Sequence, residues 1–167
     1  PIGEQVVLID GFTASTERAK YPIIPITMDI IAGQTNSLPY TPHLHAQKNY
    51  NFTPISQVNE TIVEDPEIPG FQMRIPSGVQ IIGWDGEPNR KVSVRRVPIE
   101  VLPVPPPPPE VQGRTVYMFY FDKQGGGLPA VPIPVTLPND LGLSPGEKAH
   151  LWYYNESPNP GEAPNDW

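Results

Sequence analysis

Apolar residues along this chain come in short runs of strand length, interrupted every few positions by Pro, Gly or Asp. Residues 5–9, QVVLI, read as a strand closed by the turn pair Asp10-Gly11. Residues 23–31 alternate apolar and polar after Pro25, the period of two that marks a half-buried strand. Over 32–56 polar and turn residues dominate, which predicts an irregular excursion with one short strand near His45. Short strands are expected at 61–64, 71–75 and 79–82, with Ser77-Gly78 and Asp85-Gly86 supplying turns. Helical periodicity is nearly absent.

The second half adds three expectations. In 91–101, Val92 and Val94 share one parity while Val97, Ile99 and Val101 take the other, so a β-bulge at Arg95-Arg96 is predicted. Pro98 removes a ladder donor and places that strand at an edge or bulge. Residues 114–121, RTVYMFYF, are apolar on both parities, as a central strand covered on both faces would be. Runs at 131–137 and 148–154 complete about nine or ten strands, a spacing that predicts an all-β, antiparallel β-sandwich with Pro-rich connections and little or no helix. The PVPPPPP run at 103–109 is a polyproline rod within the domain. With strands on both sides and Glu110 beside it, it reads as a stiff connector rather than a ligand for SH3-type grooves.

Composition narrows the classes. At 167 residues, with 25 Pro, 14 Gly and 38% hydrophobic residues, the chain suits a folded β domain. A net charge of −7 argues against phosphate-backbone binding, so no nucleic-acid partner is expected. No apolar run approaches the ~20 residues of a membrane helix. The absence of Cys removes disulfides, thiolate zinc sites and thiol nucleophiles together. The chain opens at Pro1 rather than Met, which suggests a piece of a longer precursor. Sequons stand at Asn51, Asn59 and Asn155, a motif loose enough to arise by chance.

Candidate chemistry is sparse. His43 and His45 fall on one side of an extended segment and suit a metal, but no third ligand is specified, which favours surface or packed histidines. Asp85, Glu87 and Asn89 offer oxygens to calcium in one turn, yet the fuller alternating Asp pattern is missing and an ordinary Asp-Gly turn explains them. Ser144, before Pro-Gly, lacks the setting of an activated nucleophile with His150, and no enzyme is predicted. No cofactor beyond that calcium option is called for. The aromatics at 117–121 (Tyr117, Phe119, Tyr120, Phe121) and 152–154 (Trp152, Tyr153, Tyr154) suit core and cross-strand pairs better than sugar-stacking platforms. Trp84, beside a turn, is the aromatic most expected to be exposed.

The run MRIPSGV at 73–79, followed by Asp85-Gly86, resembles the ZU-type β-sandwich domain, and PIPVTLPNDLGLSPGEKAHLWYYNE looks like the matching segment of very long bacterial extracellular proteins that carry YD/Rhs-type repeats. PIGEQVVLIDG at 1–11 is similar to the last strand of a carboxypeptidase-regulatory-like module. The resemblance implies residues 1–11 as a terminal strand or linker, 12–60 as an irregular β/loop region and 61–167 as the ZU-like sandwich, with the whole chain one unit. Some relatives of that sandwich cleave themselves at His-Phe-Ser, a triplet this chain lacks. The implied role is structural and extracellular, with neighbouring domains or identical subunits as partners. Gln5, Val6, Val7, Leu8 and Ile9 form the strand expected to add to a neighbour's sheet, and filament assembly would follow. The alternative is adhesion, with surface glycans as ligands and Trp84 as the contact.

Overall fold

The computed structural model describes residues 2–48, 51–111, 115–122, 126–156 and 167. Arg114, Pro1 and Ser157 of the segments discussed above lie outside that set. Among the described residues the fold is all-β, with twelve strands in small antiparallel sheets, two short 3-10 turns and no α-helix.

Strands β1 (Gly3–Asp10) and β3 (Ile23–Ile30) form a two-stranded ribbon in unbroken register, from Gly3 opposite Ile30 to Asp10 opposite Ile23. The predicted Asp10-Gly11 turn closes it for clear reasons. Asp10 Oδ1 accepts the Phe12 N–H at 2.8 Å, and Gly11 N–H donates to Pro22 O at 3.1 Å. A Cβ at Gly11 would stand 2.5 Å from that oxygen, so glycine is required. The strand at 5–9 is therefore paired along one edge within this chain, to β3.

Strand β2 (Ala19–Lys20) pairs with β4 (Gln47–Lys48). Strand β9 (Lys91–Pro98) runs between β5 (Thr53–Pro54) and β10 (Thr115–Phe121). Strand β7 (Gln72–Ile75) lies between β6 (Thr61–Val63) and β12 (Val135–Thr136), and β8 (Ile81–Ile82) pairs with β11 (Leu128–Pro129).

Two hydrophobic clusters share β9 and β10. Val63, Ile68, Phe71, Met73, Ile75 and Ile81 bury against Val92 and Val94 of β9 in the first. Ile24, Ile26, Leu102 and Val104 bury against Val97 of β9 in the second. Successive residues of a strand point to opposite faces, so the even positions of β9 feed one core and Val97 feeds the other. This corrects the predicted bulge. The β9–β10 register is continuous from Phe121 opposite Val92 to Thr115 opposite Pro98, and the change of apolar parity records a change of core. Strand β10 does contact both clusters, through Tyr117 and Phe121 on one side and Val116 and Met118 on the other. In its sheet, however, it stands at the edge and β9 is central. Apolar period reports which faces are covered and is silent on ladder neighbours.

The second core joins Ile24 and Ile26 to Val97 and Leu102, so residues on both sides of position 60 share one hydrophobic cluster. Residues 148–154 are not a strand. The polyproline run connects β9 to β10, with Pro103 and Val104 buried at its start.

The polar side chains Ser93 and Arg95 on the odd face of β9 are paired. Ser93, fully buried on the odd face of β9, receives the Gln47 side-chain amide, which also donates to Val94 O at 3.0 Å. Arg95 donates to Ala46 O. Three buried valines at about 1.5–3 kcal/mol each outweigh an exposed pair such as Arg74–Glu60, worth ~0–1 kcal/mol. Gln47→Ala strands buried partners and should cost about 1–3 kcal/mol in equilibrium denaturation. Glu60→Ala should change the same measurement by less than about 1 kcal/mol.

Candidate functional site

The two predicted histidines part company. His43 is exposed, whereas His45 is partly buried with its Nε2 2.6 Å from Val101 O. A carbonyl only accepts, so Nε2 carries the proton and is committed to that bond. The His45 carbonyl accepts the Tyr120 hydroxyl at 2.9 Å, and burial drives that phenol's pKa well above the usual range. His45 thus fastens residues 43–47 to β10 and to the start of the proline run.

In the WDGEPN turn one Asp85 oxygen and the Asn89 amide nitrogen are spent locally, while Asn89 Oδ1 is buried with no hydrogen-bond partner among the described residues. Asp85 Oδ1 accepts the Glu87 N–H at 3.0 Å, and Asn89 is buried with its side-chain amide donating to Ile81 O at 3.2 Å. Gly86 takes φ +78°, the left-handed conformation the turn needs. Among the described residues, no group of three or more His, Asp or Glu side chains gathers as a metal would require.

Trp84 is partly buried, which corrects the expectation of an exposed ring. A Cβ at the neighbouring Gly126 would lie 3.0 Å from Trp84 Nε1 and 3.5 Å from Glu156 Oε2. Burial pushes the Glu156 carboxyl from an ordinary 4.5 up to about 7. Asn51, of the first sequon, donates to Asp65 Oδ2 at 3.3 Å, while Asn59 and Asn155 are exposed. Asp65 spends its other oxygen on the Glu67 N–H at 2.7 Å, in the wall of an open concavity of about 500 Å³ shared by Pro66, Phe71 and Thr136.

The aromatic groups divide. Phe71 stacks on Tyr117 with centroids 5.9 Å apart and meets Phe119 at 6.2 Å. Tyr120 is buried and Tyr117 and Phe121 pack on the first core, whereas Phe119 is exposed. In the second group Trp152 is 40% and Tyr153 73% exposed, and Tyr154 alone turns inward, edge-on to Trp167 at 5.6 Å. Asp140, a plain turn residue by sequence, accepts from Arg96 at 2.8 Å and the Tyr117 hydroxyl at 3.2 Å, tying its loop to the β9–β10 pair. No local signal in the sequence links those three residues.

The remaining candidate is the edge of β1. Leu8 stands opposite Pro25, which has no N–H, so this pair cannot be one that exchanges ladder hydrogen bonds. Bonded pairs alternate, and the main-chain groups of Glu4, Val6, Leu8 and Asp10 therefore point away from β3. Outside the ribbon, Glu4 O accepts from the Gln5 side chain and Asp10 O from Thr13. The N–H groups of Glu4, Val6 and Leu8 and the carbonyls of Val6 and Leu8 have no acceptor or donor among the described residues. The outer edge of β3 is interrupted by Pro25, whereas that of β1 contains no proline.

No family model matches this chain, and no curated protein or solved structure does either.

The raised Glu156 carboxyl has a definite consequence for stability. The folded chain holds that proton to about pH 7 and the unfolded chain releases it near 4.5. Its contribution therefore makes the fold less stable as pH rises across that window. Glu156→Gln should remove that part of the slope in melting temperatures measured against pH.

Proposed function

We propose that this chain is a structural module of a large bacterial extracellular or cell-surface protein, holding or displaying its neighbours and joining to them by strand addition along β1. The single observation that carries the reading is the open edge of β1, an eight-residue, proline-free strand with unspent main-chain donors and acceptors. Folded proteins ordinarily blunt such edges with proline, charge or a cover. Here the opposite edge of the ribbon is blunted by Pro25, and β1 has only Glu4 and Asp10 at its flanks. The cell-exterior placement rests on the sequence resemblance to ZU-type regions of bacterial surface proteins.

A second reading, glycan adhesion, is favoured by one observation. Trp152 and Tyr153 are consecutive and both exposed, and either ring is open to stacking on a sugar. It moves the expected contact from Trp84 to this pair.

The two readings separate experimentally. Val6→Pro deletes one outward N–H and leaves the bonds to β3 intact, so sedimentation velocity should show assembly in the parent chain and its loss in the variant. Equal assembly of both would overturn strand joining. For adhesion, a glycan array should give hits that vanish in Trp152→Ala, and a blank array removes that reading.

A further inference from the structure

We infer that the strand received by β1 is residues 148–153 of a second copy of this chain, laid antiparallel along its outer edge. This rests on the strand-joining reading above and names its donor. All six residues, KAHLWY, are exposed, and Leu151 and Tyr153 reach 79% and 73%. Leu, Trp and Tyr in sequence form a stretch with high strand propensity, free of proline. None of the six has a hydrogen bond among the described residues, and residues 147–154 contain no turn or bend. The stretch is held at both ends. Pro145-Gly146 turns before it with Gly146 at φ +90°, and Tyr154 after it packs on Trp167, whose indole N–H donates to Pro105 O at 2.7 Å. The chain thus presents an unpaired β-type segment and an unpaired strand edge, and does not join them to each other.

Charge selects this donor over a second β1. Strand β1 carries Glu4 and Asp10 and no cation, so two β1 strands side by side bring acid to acid. Residues 148–153 carry Lys148 and His150 and no acid.

Parity supplies a register. With Lys148 opposite Asp10, the pairs that exchange hydrogen bonds are Lys148 with Asp10, His150 with Leu8 and Trp152 with Val6. These are the β1 residues whose main-chain groups face outward. The intervening residues Ala149, Leu151 and Tyr153 then share a face with Ile9, Val7 and Gln5, and Ile9 already packs on the second core. The two most exposed large apolar side chains of the donor, Leu151 and Tyr153, are carried to the apolar side of the ribbon. Donor and acceptor are different patches, so each copy uses both and the assembly is head to tail.

The test uses the full chain and two variants. Leu151→Asp kills the donor at an exposed position and leaves β1 alone, while Val6→Pro kills the acceptor and leaves the donor alone. Sedimentation velocity should show the parent chain growing past dimer with concentration, each variant alone as monomer, and their equimolar mixture stopping at a one-to-one dimer. Far-ultraviolet circular dichroism checks that both variants are folded. As an independent check on register, Lys148→Glu and Asp10→Lys should each weaken assembly, and the double variant should restore it.

If Leu151→Asp assembles like the parent while Val6→Pro does not, the donor is wrong and strand joining at β1 stands. Should Val6→Pro also assemble like the parent, both fall. A parent chain that stays monomeric at every concentration overturns both as well.

Discussion

Strand β9 is the constraint on which the two cores depend. Its even-numbered valines close one hydrophobic cluster and Val97 closes the other, so neither cluster is complete without it. A strand buried on both faces cannot slip by one residue, because every side chain would change core at once. That fixes its register against β10, and the two strands together bring the first core, built from β6 to β8, up against the second, which takes in β3 and the start of the proline run.

A wall between two apolar cores has to dispose of its polar groups, and residues 45–47, at the start of β4 and just before it, do this. Gln47 caps Ser93 and Val94, Ala46 receives Arg95, and His45 links Tyr120 to Val101. These contacts span 46 to 75 residues of sequence and pin an otherwise irregular stretch to β9 and β10. Buried polar groups left without such partners would cost more than the bonds themselves contribute. The histidine and glutamine are thereby explained as structure.

At the periphery the two strands of the β1–β3 ribbon differ in one respect that matters. Pro25 aims its missing donor outward, as proline in a sheet must, and the same alternation leaves β1 with its unspent groups facing outward. The exposed 148–153 segment supplies the complementary feature, an apolar β-type run with no ladder of its own. An association built from these parts draws on main-chain hydrogen bonds for strength and on alternate side chains for selectivity.

How much of this was legible beforehand depended on the range of the interaction. Turn chemistry and period of two are local, so the ribbon strands, the Asp10-Gly11 turn, the β7 to β9 segments and the all-β class followed from the chain alone. The proline run lies between β9 and β10, which are neighbours in sequence. Four things were not local. The parity change in β9 looked like a bulge because one sequence cannot show that a second core lies behind the strand. Strand β10 looked central because covered faces and ladder partners are different properties. The 148–154 run had strand composition, but a strand exists only where another edge pairs with it, and none does so among the described residues. The candidate site depends on Leu8 meeting Pro25, a register set by the turn and by Ile24 and Ile26 entering the second core. The sequence by itself determined which segments could be strands and where they turn. Only the tertiary structure decided which edges were left open, because hydrogen-bond partners are assigned by packing across long separations.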